Sequence, residues 1–311
     1  MTLRPAVARF AAAAALLAAP GMSFAARTHV PALPWWAWPL ILFATTFVMG
    51  IVAVVGGIGG GVLFVPIVGG FFPFHLDFVR GAGLMVALCS ALASGPGLLR
   101  SGLASLRLAM PLALAGSIGG ILGALAGLAL PTQVVQFALG VTILLIAILM
   151  WATRNTAAGA PHAADRWATA LGLHGRYHDP AAGHEIEWKA RRTPAGLAVF
   201  FGIGIVGGLF GLGAGWANVP ALNLLMGIPL KLAVGTSGLA ISIINTSAAW
   251  VYMNKGALLP MLIVPSILGV MLGARVGVHV LRGIQASVAR NLIIAVLVLS
   301  GARSLLQGLG V

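Results

Sequence analysis

Long apolar runs, interrupted by short polar or glycine-rich stretches, make up most of this chain. Each run is close to the 20 or so residues that an α-helix needs to cross a hydrocarbon core of roughly 30 Å. Five runs come first, at 36–56, 61–76, 79–99, 107–130 and 132–153, and five follow, at 195–212, 215–228, 232–253, 258–280 and 288–306. The pattern predicts an all-α polytopic membrane protein.

The two sets of runs repeat each other. A shift of 154 residues aligns 44–123 on 198–277 without a gap, and glycines and prolines coincide along the register. Such a register predicts an internal duplication. The coinciding residues include Gly57, Gly59, Gly61, Pro66, Gly81, Pro111 and Gly119 in the first half and Gly211, Gly213, Gly215, Pro220, Gly235, Pro265 and Gly273 in the second.

The positive charges give the two halves opposite orientations. If the polar segment 154–193 is cytoplasmic, eleven lysines and arginines lie inside and four lie outside, in agreement with the positive-inside rule. Matching segments then enter the membrane from opposite faces. We therefore predict two inverted-topology repeats, each with a glycine-broken helical hairpin followed by three transmembrane helices, as in many secondary transporters.

The N-terminus is typical of a targeting segment. Arg4 and Arg9 precede a short apolar stretch, and Ser23-Phe24-Ala25 has the small residues of a cleavage site, although an uncleaved first anchor would have the same pattern. The predicted organisation is a signal sequence or first anchor at 1–26, a first transmembrane repeat at 27–153, a cytoplasmic polar loop at 154–193 and a second transmembrane repeat at 194–311.

Composition excludes several other classes of protein. Hydrophobic residues make up 60% of the chain and charged residues 7%, whereas a soluble domain carries about a quarter charged residues. The net charge of +13 does not indicate nucleic-acid binding, because the basic residues stand singly between apolar runs. His174-x3-His178 would suit a metal only on a helix, which Pro180 and nearby glycines disfavour. We predict no metal and no cofactor.

Two glycine strings at the hairpin tips, Gly56–Gly61 and Gly211–Gly215, are the candidate substrate site. Each glycine costs a helix about 1 kcal/mol relative to alanine, so the helices should break there. Backbone groups freed in the membrane must be buried in protein or line a polar cavity. A helix that restarts at 61 or 215 presents free N–H groups that favour an anion. Close helix packing is the alternative role. The candidate residues are Gly57, Gly59, Gly61, Gly211, Gly213 and Gly215.

Polar side chains in the second half extend this candidate site. Asn218 lies one turn into the restarted helix, and Thr236, Ser237, Ser242 and Asn245 lie in the next run. A buried polar side chain in lipid must find a partner or face water, so these residues are candidates for substrate binding. Hydrogen bonding between helices is the alternative.

Charged residues near the membrane faces have simpler expected roles. Asp77 and Arg80 fall at the predicted outer mouth, and Lys231 falls at the predicted inner mouth. We expect them to act in topology or at the membrane interface. No carboxylate is predicted at the membrane midplane, so a cation is not the expected cargo.

The doubled glycine strings, each followed by a proline, resemble the TauE/SafE sulfite-exporter family of membrane permeases. The residues that carry the resemblance are Gly57–Pro66, Gly211–Pro220 and the downstream stretch Ala233-Val234-Gly235-Thr236-Ser237. In the first half, Gly81-Ala82-Gly83 stands in place of Gly-Thr-Ser. The resemblance extends over about 40–306. It implies export or uptake of small, mostly sulfur-containing anions such as sulfite or organosulfonates, without naming the cargo.

We therefore hypothesise a permease of the bacterial inner membrane for sulfite, a sulfonate or a related small sulfur anion, working by alternating access around two broken helices. Its expected partners are the anionic solute and the lipid bilayer, without nucleic acid, and assembly into a homo-oligomer stays open. An anion channel of the same architecture is the alternative. An intramembrane enzyme is disfavoured, because the sequence has no HExxH motif, no paired intramembrane carboxylates and no Gly-x-Ser-x-Gly elbow.

Overall fold

A computed structural model of the chain describes residues 34, 36–55, 61–100, 102–152, 165–179, 184–213, 215–281 and 286–309. Residues Pro39–Val311 form one compact unit, and Met1–Trp38 form another, of which 34 and 36–38 are described. The predicted signal sequence or anchor at 1–26 and the predicted hinge residues Gly57 and Gly59 lie outside the described residues.

The described residues of the first half form five helices. The apolar runs specify them, and the glycine string between residues 56 and 60 separates the first two. Ser105 begins the fourth helix, since its hydroxyl accepts a hydrogen bond from the amide of Leu108 at 3.3 Å, an N-cap that satisfies a free donor. The helices are α1 (Ala37–Val55), α2 (Gly61–Phe71), α3 (Leu76–Arg100), α4 (Leu106–Ala129) and α5 (Thr132–Ala152).

Part of the segment predicted as a polar loop has regular structure. Helix α6 covers Arg166–Ala170, and an antiparallel hairpin follows, with strands β1 (His174–Asp179) and β2 (His184–Lys189). Tyr177 and Trp188 are buried in a hydrophobic cluster that also contains Leu108 of α4. The hydrophobic burial of these aromatic side chains outweighs the polar composition of the strands.

The second half follows with the same order of helices. Helix α7 covers Thr193–Phe210, and α8 covers Gly215–Pro220 and continues as a π-helical turn over Ala221–Leu225. The remaining helices of this half are α9 (Leu230–Asn254), α10 (Pro260–Leu281) and α11 (Ala286–Gly308). The starts of α2, α3, α4 and α5 recur 154 residues later as the starts of α8, α9, α10 and α11. The helices thus follow the same shift as the glycine and proline register.

Glycines allow helices of different halves to approach closely. Helices α4 and α7 meet at Gly116 and Gly204, where a Cβ on Gly204 would overlap the carbonyl group of Gly116. Helices α1 and α10 make the matching contact, since a Cβ on Gly50 would lie 2.5 Å from the carbonyl oxygen of Val270. Small residues at such contacts let membrane helices pack through their backbones. The contact is reciprocal, because Gly50 matches Gly204 and Val270 matches Gly116 in the repeat.

Helices α3 and α9, which match each other in the repeat, run antiparallel where they meet. Near the start of α3, a Cβ on Gly81 would lie 3.5 Å from the Cβ of Tyr252, near the end of α9, and 2.5 Å from the carbonyl oxygen of Ala257. Near the start of α9, Gly235 packs on the carbonyl group of Leu103, just beyond α3. This second reciprocal contact has the form of a two-fold interface.

Five described helices, α4, α5, α7, α9 and α10 over 260–277, are long and apolar enough to cross a membrane. Large apolar side chains are exposed on the outside of the bundle, among them Leu145, Ile148 and Trp250. Extended apolar surfaces of this kind face lipid or a partner. The predicted α-helical, polytopic architecture is confirmed, and the hairpin β1–β2 is an addition that an all-α class does not include.

Candidate functional site

The second glycine string breaks the helix as its composition predicts. Gly211 and Gly213 both have a φ of 69°, in the left-handed region that glycine enters without steric cost. The amide of Gly211 donates to the carbonyl group of Gly207 at 2.9 Å and ends α7. Leu212 and Gly213 have no helical conformation, and α8 begins at Gly215.

A cavity of about 130 Å³, the central cavity, lies against this break. Both halves of the chain line it, and two pairs of matching positions contribute: Gly61 with Gly215, and Ala87 with Ile241. With about 30 Å³ per water molecule in the liquid, its volume equals roughly four waters, which is suitable for a small solute. The lining residues are Gly61, Val62, Ala87, Ser90, Ala91, Leu212, Gly213, Gly215, Val219, Val234, Ser237, Gly238 and Ile241.

Two polar side chains of α9 are buried at the central cavity without a hydrogen-bond partner in the described protein. Ser237 lines the cavity, and its hydroxyl is unpartnered. Asn245 follows the lining residue Ile241 by one turn, and its Nδ2 would lie 3.3 Å from a Cβ on Gly213. Neither amide atom of Asn245 has a partner. An unsatisfied buried polar group costs about 1–3 kcal/mol, so both residues require a polar ligand or water.

Helix α8 adds two further unpartnered groups next to the cavity. Asn218 lies between the lining residues Gly215 and Val219 and is fully buried, with both amide atoms unpartnered. The indole nitrogen of Trp216 is also buried without a partner among the described groups. Unsatisfied polar groups are few in native proteins, so their occurrence on α8, directly after the break, makes this helix part of the candidate site.

Arg80 forms a buried clamp beside the break. Its Nη1 donates to the carbonyl groups of Gly127 and Leu209, each at 3.0 Å, and its Nη2 forms an ion pair with Asp77. Leu209 is in the last turn of α7, so the guanidinium stabilises the negative end of that helix. The Arg80 side chain is only 1% exposed, so it is packed within the protein and does not lie at a surface that could contact lipid or water.

Tyr252 and Gly211 complete the clamp. The Tyr252 hydroxyl donates to the carbonyl group of Gly208 at 3.0 Å, and the Arg80 guanidinium lies 5.9 Å from the centre of the Tyr252 ring. A Cβ on Gly211 would overlap the backbone of Arg80. These contacts hold the end of α7, and therefore the start of the break, against α3 and α9.

The sequence profile of the sulfite exporter TauE/SafE family matches residues 41–304, most of the chain. The chain belongs to the TauE/SafE family. It is 30% identical over 118 residues to the probable membrane transporter protein YunE of Bacillus subtilis (strain 168), a match that covers 38% of this chain and 43% of the relative. No solved structure matches the chain. The protein is therefore a multi-pass membrane protein of a transport family.

The TauE/SafE fold brings together some of the predicted site residues and separates others. Gly61, Gly213, Gly215 and Ser237 line the central cavity, and Asn218 and Asn245 are buried next to it. Gly211 packs on Arg80 instead. The Thr236 hydroxyl accepts from the amide of Ser105 at 3.2 Å, and the Ser242 hydroxyl donates to the carbonyl group of Leu239 at 2.7 Å. Gly57 and Gly59 lie outside the described residues.

Sequence reasoning missed two contributions to the site. Apolar residues such as Ala87 and Ile241 line the cavity, and nothing marks a small apolar residue as functional in so apolar a chain. Ala87 and Ile241 occupy matching positions in the repeat, and that match could have marked them as residues that line a shared site. Arg80 was placed at the membrane face because arginine is abundant there. The hydrogen-bonded carbonyl groups that allow its burial come from α4 and α7, far away in the chain.

The histidines and carboxylates do not form a metal site in the described part of the chain. No group of three or more His, Cys, Asp or Glu side chains there could hold a metal ion. His174 lies on the strand β1, where the helical His-x3-His geometry does not arise.

Proposed function

We propose that this TauE/SafE protein is a carrier for a small sulfur-containing anion, sulfite or a sulfonate, which binds in the central cavity beside the second glycine string. The observation that carries the proposal is the meeting of a left-handed glycine break with two buried, unpartnered polar side chains, Ser237 and Asn245. Asn218, buried and unpartnered on the helix that follows the break, adds to it. Backbone amides of broken helices and side-chain amides are donors that suit an anion.

The charges around the cavity support an anion rather than a cation. Every lining residue in the described part of the chain is neutral, and no carboxylate is among them. The nearest acidic residue on α3, Asp77, is paired with Arg80. A buried site for a metal ion or an amine would call for carboxylates or other charged partners.

Alternating access between inverted repeats is the transport mechanism that we propose. Two features support it: the matching helices α3 and α9 run antiparallel, and the glycine contacts between halves are reciprocal. A two-fold axis perpendicular to membrane-crossing helices would lie in the membrane plane, which is the arrangement of inverted-repeat carriers. In the orientation that the charges favour, the hairpin β1–β2 lies in the cytoplasm and the protein resides in the bacterial inner membrane.

Flux into proteoliposomes tests the proposal. Purified protein should mediate saturable uptake of labelled sulfite or of a short alkanesulfonate, which an excess of the unlabelled anion inhibits. Empty liposomes and the Gly213→Val variant are the controls. Flux that rises linearly through the low millimolar range would instead indicate a channel. Transport of amines or metal cations, with no sulfur anion carried or inhibitory, would overturn the proposal.

Cysteine labelling tests the orientation. In a background with Cys89→Ala, Ala170→Cys and Lys255→Cys place single thiols at exposed positions before β1 and after α9. Lys255 is preferred to its neighbour Gly256, whose φ of 68° makes substitution there strained. We expect an impermeant maleimide added to intact cells to label position 255 and not 170. The opposite result would reverse the assignment.

A further inference from the structure

We propose that the substrate of the central cavity is a monoanion that carries a hydrogen-bond donor of its own. The class covers a singly protonated oxyanion, such as hydrogensulfite, and a short hydroxyalkanesulfonate. This inference rests on the proposed function and specifies the substrate of the same site.

The first step concerns charge. The described wall of the cavity contains no cationic side chain. Arg80, on the lining helix α3, donates to the carbonyl groups of Gly127 and Leu209 and pairs with Asp77, so its charge is already neutralised by the protein. Neutral dipoles compensate a single negative charge more easily than two, since the desolvation cost rises steeply with charge. The wall therefore favours a monoanion over a dianion.

The second step concerns acceptors. Ser237 lines the cavity with an unpartnered hydroxyl that can donate or accept, and Asn245, which lies against Gly213, has an unpartnered amide oxygen as well as an unpartnered amide nitrogen. A fully deprotonated oxyanion can only accept hydrogen bonds, so it would satisfy the donors and leave the amide oxygen of Asn245 without a partner. Reversing the assignment of an amide exchanges its two atoms and leaves the same donor and acceptor count. A solute with its own O–H group satisfies both kinds of atom.

The third step concerns size. The cavity of about 130 Å³ has the volume of roughly four water molecules. Hydrogensulfite and a two-carbon hydroxyalkanesulfonate are of this order. Gly61, Gly213 and Gly238, which have no side chain, leave this space open.

A matched pair of sulfonates tests the inference. Ethanesulfonate and 2-hydroxyethanesulfonate carry the same charge and differ by one hydroxyl group. Their uptake into proteoliposomes should differ by roughly tenfold or more in favour of the hydroxyl compound, because a site built for a hydrogen-bonding group discriminates strongly against an analogue without it. Sulfite uptake at several pH values forms the second arm, in which the rate should follow the singly protonated fraction.

The pH arm requires that the protein itself be insensitive over the same range. No described lining residue of the cavity has a titratable side chain. On the helices that line the cavity, the titratable side chains are Asp77, Arg80, Cys89 and Arg100 on α3, and Lys231 and Tyr252 on α9. Ethanesulfonate, whose charge is constant, is the control, and its slower uptake should stay flat with pH. If sulfite uptake follows protonation but the two sulfonates are taken up equally, the donor that the site requires is the proton on the oxyanion. If the two sulfonates differ but sulfite uptake ignores protonation, the required donor is the hydroxyl group.

Two variants locate the discrimination. Ser237→Ala and Asn245→Leu should each reduce the preference for the hydroxyl compound at least about threefold, because each removes an acceptor at the cavity. Ser242→Ala is the matched control, since its hydroxyl is bonded within its own helix. Elution as a single peak in size-exclusion chromatography in detergent checks that each variant is folded. If Asn245→Leu does not fold, the test rests on Ser237→Ala, which is the smaller change.

The outcomes separate the two proposals. Equal uptake of both sulfonates together with sulfite uptake that ignores protonation would overturn this inference and leave an anion carrier in place. A preference that survives both variants would also overturn it, because the discrimination would then lie elsewhere. Absence of any anion uptake would overturn the proposed function itself.

Discussion

The two halves of the chain share an arrangement of helices and glycines but carry different polar side chains. The unpartnered polar residues at the cavity belong to the second half, where Asn218, Ser237 and Asn245 match Phe64, Gly83 and Ala91 of the first half. The charged clamp belongs to the first half, where Asp77 and Arg80 match Lys231 and Val234. Duplication has preserved the glycines that shape the helices, while each half has kept a different set of polar groups.

The matching positions 80 and 234 also differ in their exposed fraction. Arg80 is 1% exposed, and its counterpart Val234 is 45% exposed and lines the central cavity. Matching positions of the two halves therefore differ in exposure: the position in the first half is packed within the protein, and the position in the second half borders the cavity.

The largest effect should come from the glycine break. Gly213→Val should reduce transport by at least about a hundredfold, since small displacements at a binding site can have effects of that order. The reason is steric: residue 213 has a φ of 69°, and a Cβ there would lie 2.9 Å from the Cβ of Ala87. The measurement is initial uptake of labelled sulfite or sulfonate in proteoliposomes.

Gly202→Ala is the control for this variant, because a Cβ at that position on α7 meets nothing within 4 Å. Gly102 and Gly256 are unsuitable, since both have positive φ values. If Gly213→Val transports normally, the break has no part in the site. If its loss of activity only parallels a loss of thermal stability, the glycine serves packing.

The next effect concerns the asymmetry of the clamp. Arg80→Ala leaves the carbonyl groups of Gly127 and Leu209 and the Asp77 carboxylate without their partner, and removing one member of a buried ion pair costs about 3–5 kcal/mol. Val234→Ala, at the matching exposed position, should cost about 0.5 kcal/mol. Thermal unfolding in detergent measures both. Equal shifts for the two variants would show that the buried and the exposed position contribute alike to stability.

A smaller effect should test the reciprocity of the contacts between halves. Gly204→Ala and Gly50→Ala each push a methyl group into a carbonyl group of the other half, and overpacking of this kind costs about 1–3 kcal/mol. We expect both variants to lower the unfolding temperature by comparable amounts. A loss confined to one of them would show that the matching contacts differ in strength.

The smallest effect concerns a contact between the segment that joins the two halves and the start of α7. Asp165 accepts hydrogen bonds from the amide and the hydroxyl of Thr193, at 2.6 Å and 2.8 Å. Partial burial raises the pKa of Asp165, but the hydrogen bonds from the Thr193 and Ala168 amides outweigh it, so its pKa lies below the usual range. Asp165→Ala should cost up to about 1 kcal/mol, the size of a helix cap.

The sign of the pH dependence follows from the lowered pKa. The stabilisation is present above the unfolded-state pKa of about 3.9 and is lost as the pH falls through the lower folded value. Hydrogen exchange of the Thr193 and Ala168 amides should therefore differ between the parent protein and Asp165→Ala at pH 7, and the difference should vanish in strong acid. A difference that persists there would assign the effect to something other than the carboxylate.

Several features of the molecule could be predicted from local sequence. The ten apolar runs correspond to the ten long or broken helices within a few residues, because hydrophobic length and glycine or proline at the ends set helix bounds locally. The break before Gly215 follows in the same way from the low helix propensity of glycine. Asn218, Ser237 and Asn245 stood out because polar residues are rare in apolar runs.

The hairpin β1–β2 and the clamp could not be predicted in this way. Tyr177 and Trp188 form a hairpin because α4 and α7 provide an apolar surface for them, which no local pattern reveals. Thr236 and Ser242 carry hydroxyl groups like that of Ser237. In the structure the Thr236 hydroxyl is bonded to the Ser105 amide and the Ser242 hydroxyl to the Leu239 carbonyl group, so neither is left unpartnered as the Ser237 hydroxyl is.

The amino-acid sequence by itself determined the membrane location, the helices, the internal repeat of their pattern and the glycine break before Gly215, since each depends on residues close together in the chain or on a regular shift along it. Only the tertiary structure decided which half supplies the unpartnered polar residues at the cavity and why Arg80 can be buried. These properties depend on contacts between residues more than a hundred positions apart, and hydrogen-bond satisfaction and burial are defined only once such residues meet.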